Sequence, residues 1–404
     1  MPSRRRILAT LGLLATGGGG CLGDGGADPP AATDGRTDWP LPDFDAQGTS
    51  YNQNPVGPRS TPDERWRRTV PHPTGRPVVA GGRVFLPTLG GLRTFALDGS
   101  PGWTLPPAAD RSTAWVTGPA VHDGTAYIGT DDSRSLLALS AADGSERWRA
   151  DVGGVSVSPV PDHDWETVFV GTRDGTVARV GTDSGEIRWT TSVFGPVTSL
   201  AANGGVAYVG TEAGELYALF EDAVRRTSGS RTQSGGGRGL WRRKLPGSVV
   251  DVALGNGGPV YATTFGGGTF ELADGLHTGR TRWHVDSGPS NDSLVVGADT
   301  LYGADGGGLV AMSRHGEGRR WSLEGSFSAG MAGAGDTLYV GGEDGVSAYR
   351  AGGGVGLGGL RFDARRWHVD VGGSVTRGLA VADGTVFVPV GGTSADEAAL
   401  VALR

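Results

Sequence analysis

The chain has 404 residues, a formal net charge of −7, 74 glycines and a single cysteine. One cysteine excludes a disulfide framework, and the acidic balance argues against general nucleic-acid binding, which needs a basic face. So many glycines point to many tight turns.

In chain order, the first element is a short basic and apolar leader. Ser3-Arg4-Arg5-Arg6 precedes an apolar stretch from Ile7 to Thr16, then Gly17 to Gly20 and Cys21. That stretch is too short to cross a bilayer as a helix but suits the apolar region of a signal peptide. The Arg4-Arg5 pair resembles a twin-arginine export signal, and the small residues before Cys21 resemble a lipobox. In lipoproteins such a cysteine becomes the first mature residue and carries the lipid; the alternative is a chance thiol in a discarded peptide. Residues 1–20 are therefore expected to be a lipoprotein signal peptide, with Cys21 anchoring an extracytoplasmic protein to the cell membrane. Residues 21–60 read as a flexible tether and lead-in, because Gly23-Asp-Gly-Gly-Ala-Asp-Pro-Pro30 has too little apolar content to pack. Trp39 to Tyr51 is expected to pack along the surface of the folded domain, which occupies 61–404.

That domain is a repeat. Trp66, Trp103, Trp148, Trp189, Trp241, Trp283, Trp321 and Trp367 recur at gaps of 37, 45, 41, 52, 42, 38 and 46 residues. From Trp103 on, each follows three short apolar runs separated by turns. Examples are Val168-Phe-Val-Gly-Thr-Arg-Asp-Gly-Thr176 and Ala207-Tyr-Val-Gly-Thr-Glu-Ala-Gly-Glu215. Runs rich in β-branched and aromatic residues, bounded by Asp-Gly or Gly-Gly, predict hairpins. No stretch shows sustained helical periodicity. A period near 40 suits four strands per unit in a radial array. After Trp367 only three strands remain, at 376–381, 385–390 and 398–403, while Glu64-Arg-Trp66-Arg-Arg-Thr69 precedes the first unit. The expectation is all-β: an eight-bladed β-propeller of four-stranded antiparallel blades, closed by the N-terminal strand joining the last blade. Closure removes free sheet edges. Seven blades stay open as an alternative if one glycine-rich unit is degenerate.

The repeat resembles the PQQ-like propellers, in which an Ala leads to a Gly four residues before a Trp. Ala138-Leu-Ser-Ala-Ala-Asp-Gly144-Ser-Glu-Arg-Trp148 and Ala273-Asp-Gly-Leu-His-Thr-Gly279-Arg-Thr-Arg-Trp283 carry the pattern. Gly185 and Trp189 match it in part, with Arg179 in place of the Ala. Trp39-Pro-Leu-Pro-Asp-Phe-Asp with Gly48-Thr-Ser-Tyr-Asn52 looks like the leader of archaeal members. The resemblance implies that the eight indoles wedge between blades, a structural role, and bury much apolar surface at about 25 cal/mol per Å². Lys244 is the one lysine among 36 basic residues, and with an acidic balance this resembles proteins of salt-loving archaea.

Chemistry is harder to find. The resemblance suggests a quinone bound with Ca²⁺, but the adjacent cysteines of the quinoprotein dehydrogenases are absent and their metal ligands match no position here. Seven histidines, at 72, 122, 163, 277, 284, 315 and 368, are scattered over different units. Asp131-Asp132, Asp162-His-Asp164 and Glu343-Asp344-Gly345 sit at hairpin turns, where Asp caps backbone N–H groups. The glycine runs at 266–268 and 306–308 lack the helix a phosphate loop needs. Arg225, Arg226, Arg231, Arg238, Arg242 and Arg243 flank an insertion in the fourth unit, read as a solvated loop. Ala351 to Gly359 inserts at the matching place in the seventh, so both should project from one face. No catalytic, metal-binding or cofactor-binding residue is assigned and no cofactor is expected. The reading is a monomeric, lipid-anchored propeller that binds an unknown membrane or surface protein as an assembly scaffold. The alternatives are a PQQ-dependent dehydrogenase and a carbohydrate-binding module using Trp115 and Trp165, which lie outside the docking series.

Overall fold

The computed structural model describes residues 37–54, 56–107, 117–130, 135–162, 166–220, 238–256, 258–273, 279–286, 294–305, 307–316, 318–325, 327, 330–357, 360–375, 377–392 and 398–404. Among them there is no helix. Eight sheets of antiparallel strands form the ring. Most first strands are short and largely buried, as in Val78–Ala80, Ala120–His122 and Val160–Asp162, while those of blades 4 and 5, Val197–Asn203 and Val249–Leu254, are longer. Neighbouring first strands touch one another around much of the axis. The fourth strands alternate between exposed and buried residues, as Ile187–Ser192 does, because they form the outer rim.

The last blade is shared by the two ends of the chain. Ala380–Ala382, Thr385–Gly391 and Ala399–Leu403 supply three strands, and Glu64–Thr69 pairs antiparallel with Ala399–Leu403 as the fourth. Asp63 and Arg404 exchange backbone hydrogen bonds of 3.0 and 2.9 Å at its corner. The ring has eight blades, which decides against seven.

Strand direction sorts the connections onto two faces. First-to-second and third-to-fourth turns lie on one face; second-to-third turns and blade-to-blade links lie on the other. The insertion in the seventh blade is thus on the first face. There Val355–Leu357 and Leu360–Phe362 pair as a small extra hairpin. The insertion in the fourth blade also falls between third and fourth strands, but residues 221–237 lie outside the described residues.

The lead-in segment does more than follow the surface. Trp39 bridges Val79 in blade 1, Pro40 accepts from Val121 in blade 2, and Ala46 and Gln47 accept from Ala202 and Leu254 in blades 4 and 5. Thr49 accepts from Val296 in blade 6, Ser50 and Asn52 from Gly333 and Gly335 in blade 7, and Thr37 and Val56 from Asp383 and Gly384 in blade 8. Tyr51–Asn52 adds a parallel strand to Ala332–Ala334. All these donors sit at the far ends of the first strands, so residues 37–56 form a strap across one end of the axis. Trp39 and Phe44, with ring centroids 5.0 Å apart, anchor it in the core; Trp39 is fully buried. Phe44 and Ser50 take positive φ values of 73° and 48°, an unusual conformation for residues with a Cβ.

Candidate functional site

The strap floors a central funnel of about 420 Å³ that opens on the opposite face. Its wall comes from the first strands and the segments that enter them, including Thr74, Thr117, Ser156, Thr198 and Asp251. Hydroxyls here tie blade to blade. Ser156 donates to Val197 O at 2.7 Å, and Thr198 donates to Val249 O at 2.7 Å. Arg76, only 7% exposed, pairs with Asp43 of the strap at 3.0 Å and donates to Ser50 Oγ at 3.4 Å. Tyr51 of the strap donates to Gly335 O at 2.5 Å, and burial raises its hydroxyl pKa above the usual range, with Tyr302 and Asp336 adding to it.

The funnel acids are committed to the fold. Asp45 accepts from the backbone and hydroxyl of Thr49 at 3.0 and 2.8 Å. Asp251 accepts from Val252 N and Leu294 N, both at 2.8 Å. With Asp43 on Arg76, each carboxylate already holds a strap or blade in place. Among the described residues no group of three His, Cys, Asp or Glu could hold a metal ion. This donor set does not fit a Ca²⁺-bound quinone, whose cation needs six to eight oxygen ligands.

The tryptophans sit where blades meet. Seven pair with a Phe or Tyr of their own blade's second strand: Phe85–Trp103, Tyr127–Trp148, Phe169–Trp189, Tyr208–Trp241, Tyr261–Trp283, Tyr302–Trp321 and Tyr339–Trp367. Their centroids are 5.8–6.2 Å apart. Trp66 sits 6.0 Å from Phe387 in the shared blade. The indoles also lie on a turn glycine of the next blade: Trp66 on Gly99, Trp103 on Gly144, Trp148 on Gly185, Trp241 on Gly279, Trp283 on Gly316 and Trp321 on Gly353. A Cβ at any of these glycines would come within 2.6–2.9 Å of the ring. Several indole N–H groups donate across the same seam, from Trp66 to Leu97 O, Trp103 to Ala141 O and Trp148 to Thr182 O, at 2.7–3.0 Å. Trp189 is buried; the matching turn of blade 4 falls outside the described residues.

Other sequence candidates lie elsewhere. Arg4, Arg5, Cys21, Trp115, Trp165, His163, His277 and the Asp131-Asp132 pair are outside the described residues. His284 stacks on Phe270 at 4.1 Å, and His368 meets Ser347 at 2.9 Å. Asp162 accepts from Gly205 N at 2.7 Å, a blade-to-blade contact.

Sequence reading did not single out two exposed aromatics on the face where the funnel opens. Phe194 is 65% exposed in the link entering blade 4, and Phe265 is 63% exposed in the second-to-third turn of blade 5. They flank blade 4. Phe194 N bonds Tyr217 Oη at 3.1 Å, and Phe265 N bonds Ser248 O, in the link leaving blade 4, at 2.8 Å. Beside them Arg242 makes two 2.8 Å bonds to the buried carboxylate of Glu215, which holds that carboxyl below its usual pKa. Leu89, 42% exposed, is on the same face in blade 1.

Comparison with known proteins agrees with this architecture. Residues 90–232 match the family described as Outer membrane protein assembly factor BamB. The assembly factor of that name from Burkholderia pseudomallei (strain K96243) is 25% identical over 201 residues, 47% of this chain and 48% of the relative. Its counterpart from Yersinia pestis is 26% identical over 203 residues, 48% of this chain and 50% of the relative. The chain thus spans about half the length of the curated relatives it matches. Among solved structures, BamB from Moraxella catarrhalis superposes with a TM-score of 0.60 at 20% identity, over 85% of this chain and 97% of that one. Quinohemoprotein alcohol dehydrogenase from Comamonas testosteroni gives 0.68 at 14% identity, over 91% and 80%. At these identities the structural likeness speaks for the fold alone, an eight-bladed β-propeller.

Proposed function

We propose that this protein is an extracytoplasmic propeller, lipid-anchored at Cys21, that serves as a binding scaffold in membrane-protein assembly. The observation that carries the reading is the pair Phe194 and Phe265, two large rings left in solvent on one face. Scattered single apolar residues are ordinary, but two aromatics exposed on one face on either side of one blade suit a protein interface. The assembly-factor relatives supply the kind of partner, a membrane or surface protein. The funnel's committed carboxylates weigh against the dehydrogenase alternative.

Photo-crosslinking from positions 194 and 265 in intact membranes tests this. A discrete adduct from both positions, lost in Phe194→Asp/Phe265→Asp chains that still fold, is expected. Adducts no different from those at Glu186, an exposed residue on the strap face, would overturn it.

A further inference from the structure

The extra hairpin of blade 7 exposes apolar surface that the scaffold reading does not use. Val355 and Phe362 are 60% and 54% exposed, and they are cross-strand partners, so they share one face of the hairpin. The hairpin is fixed to blade 6: Arg361 donates to Arg320 O at 3.0 Å, and Arg320 in turn donates to Thr300 Oγ1 at 2.8 Å. Arg319, Arg320 and Arg365 are exposed around it. With Arg361 they form no ion pair with an acid among the described residues. The neighbouring acids are neutralised, Asp363 by Arg350 at 3.0 Å and Asp336 by Arg59 and Arg366 at 2.5 and 2.7 Å. The hairpin that carries Val355 and Phe362 therefore stands beside a group of arginines on a chain that is acidic as a whole.

The hairpin also lies on the face from which the N-terminal chain leaves. Thr37 is held at the first-to-second turn of blade 8, and Asp38 accepts from Gly81 N in the equivalent turn of blade 1 at 3.2 Å. Cys21 precedes Thr37 by 16 residues, a length that reaches at most about 55 Å when fully extended. A lipid at Cys21 would keep this face near the bilayer.

We propose that the hairpin is a second membrane contact, which lowers Val355 and Phe362 into the interface of an anionic bilayer while Arg319, Arg320, Arg361 and Arg365 meet its headgroups. An apolar tip beside arginines has the composition that partitions into such an interface, and anionic lipid adds electrostatic attraction for each arginine. Two contacts, one lipid and one hairpin, would fix the orientation of the propeller and hold Phe194, Phe265 and the funnel mouth away from the membrane. The inference rests on the anchoring proposed above, but its test separates the two.

A fluorophore placed at Phe362→Cys in the full chain, with Cys21→Ser so that it is the only thiol, is mixed with phosphatidylglycerol vesicles carrying brominated acyl chains. Quenching and a blue shift at 362, absent for the same label at Phe194→Cys, are expected. Val355→Asp/Phe362→Asp should lower flotation with the vesicles by roughly tenfold or more, given the apolar area removed. An unquenched label at 362, or flotation equal to that of the parent, would overturn the hairpin contact, including in favour of a protein occupant or a second copy. Anchoring is read separately by mass spectrometry of the parent chain isolated from membranes: a Cys21 that carries no lipid mass would refute the anchor and leave the vesicle result standing.

Discussion

The indole N–H of Trp367 donates to the carbonyl of Pro58 at 2.9 Å, across 309 residues of sequence. Tyr339 donates to the same carbonyl at 3.2 Å. At six other seams an indole meets a glycine turn inside the next blade. At this seam the next blade is the split one, so the N-terminal chain just before Glu64–Thr69 supplies the acceptor. The docking device thus continues unbroken through the point where the chain begins and ends its ring.

The glycines under the indoles are expected to be intolerant. Gly185 has φ +71° and a Cβ there would lie 2.6 Å from Trp148. Gly185→Ala should cost about 2–4 kcal/mol, the sum of a left-handed backbone penalty and overpacking. Gly204 has φ +59° with nothing within 4 Å, so Gly204→Ala should cost only about 1–2 kcal/mol. Urea denaturation of both variants checks this, and equal losses would contradict it.

The strap should stabilise the ring. Trp39→Ala removes a fully buried indole and is expected to cost about 3–5 kcal/mol. Asp43→Asn leaves the buried Arg76 without its carboxylate; because Asp43 is partly exposed, a loss of about 1–3 kcal/mol is expected. Thermal melts that leave either variant unchanged would show the strap to be an accessory.

Acid should weaken the Glu215–Arg242 pair with a defined sign. Arg242's hydrogen bonds hold the Glu215 carboxyl below its ordinary pKa of 4.5. The pair's contribution is whole above that unfolded value and is lost as pH falls through the lower folded value. Glu215→Gln should therefore be less stable than the parent at neutral pH, with the gap closing as pH drops below 4.5. A gap that stays constant across a pH series of denaturant melts would contradict the assignment.

Replacing the two exposed aromatics should leave stability nearly untouched. Phe194→Asp and Phe265→Asp change exposed side chains, so each is expected to alter stability by no more than about 0.5 kcal/mol. Calorimetry that shows a larger loss would mean the rings pack on the blades.

The ring was legible in the sequence because its locking device is a side-chain pattern. Trp148 and Gly185, or Trp241 and Gly279, recur at a period that reflects one blade. The strap was not legible as a floor. Ala46, Gln47 and Thr49 bond the blades through backbone carbonyls, which any residue could supply, so nothing in their identity marks the contact. Arg76 and Asp43 lie 33 residues apart and meet only once the strap crosses the axis. Phe194 and Phe265 read like any aromatic beside a strand. Exposure is a property of the turn that carries them, and composition does not report it. Val355 lies within, and Phe362 just after, a glycine-rich insertion that resembles a loop until its flanks pair.

The central claim is that the two chain ends share one sheet. Thr69 and Ala399 are register partners in it, and antiparallel partners place their Cα atoms at about 4.5–5.5 Å, within disulfide range. Thr69→Cys/Ala399→Cys in a Cys21→Ser chain should oxidise to a single intramolecular bond and migrate faster on a non-reducing gel. Two thiols that stay free in the folded protein, under conditions that oxidise a control pair such as Thr125→Cys/Ser140→Cys, would contradict the closed ring.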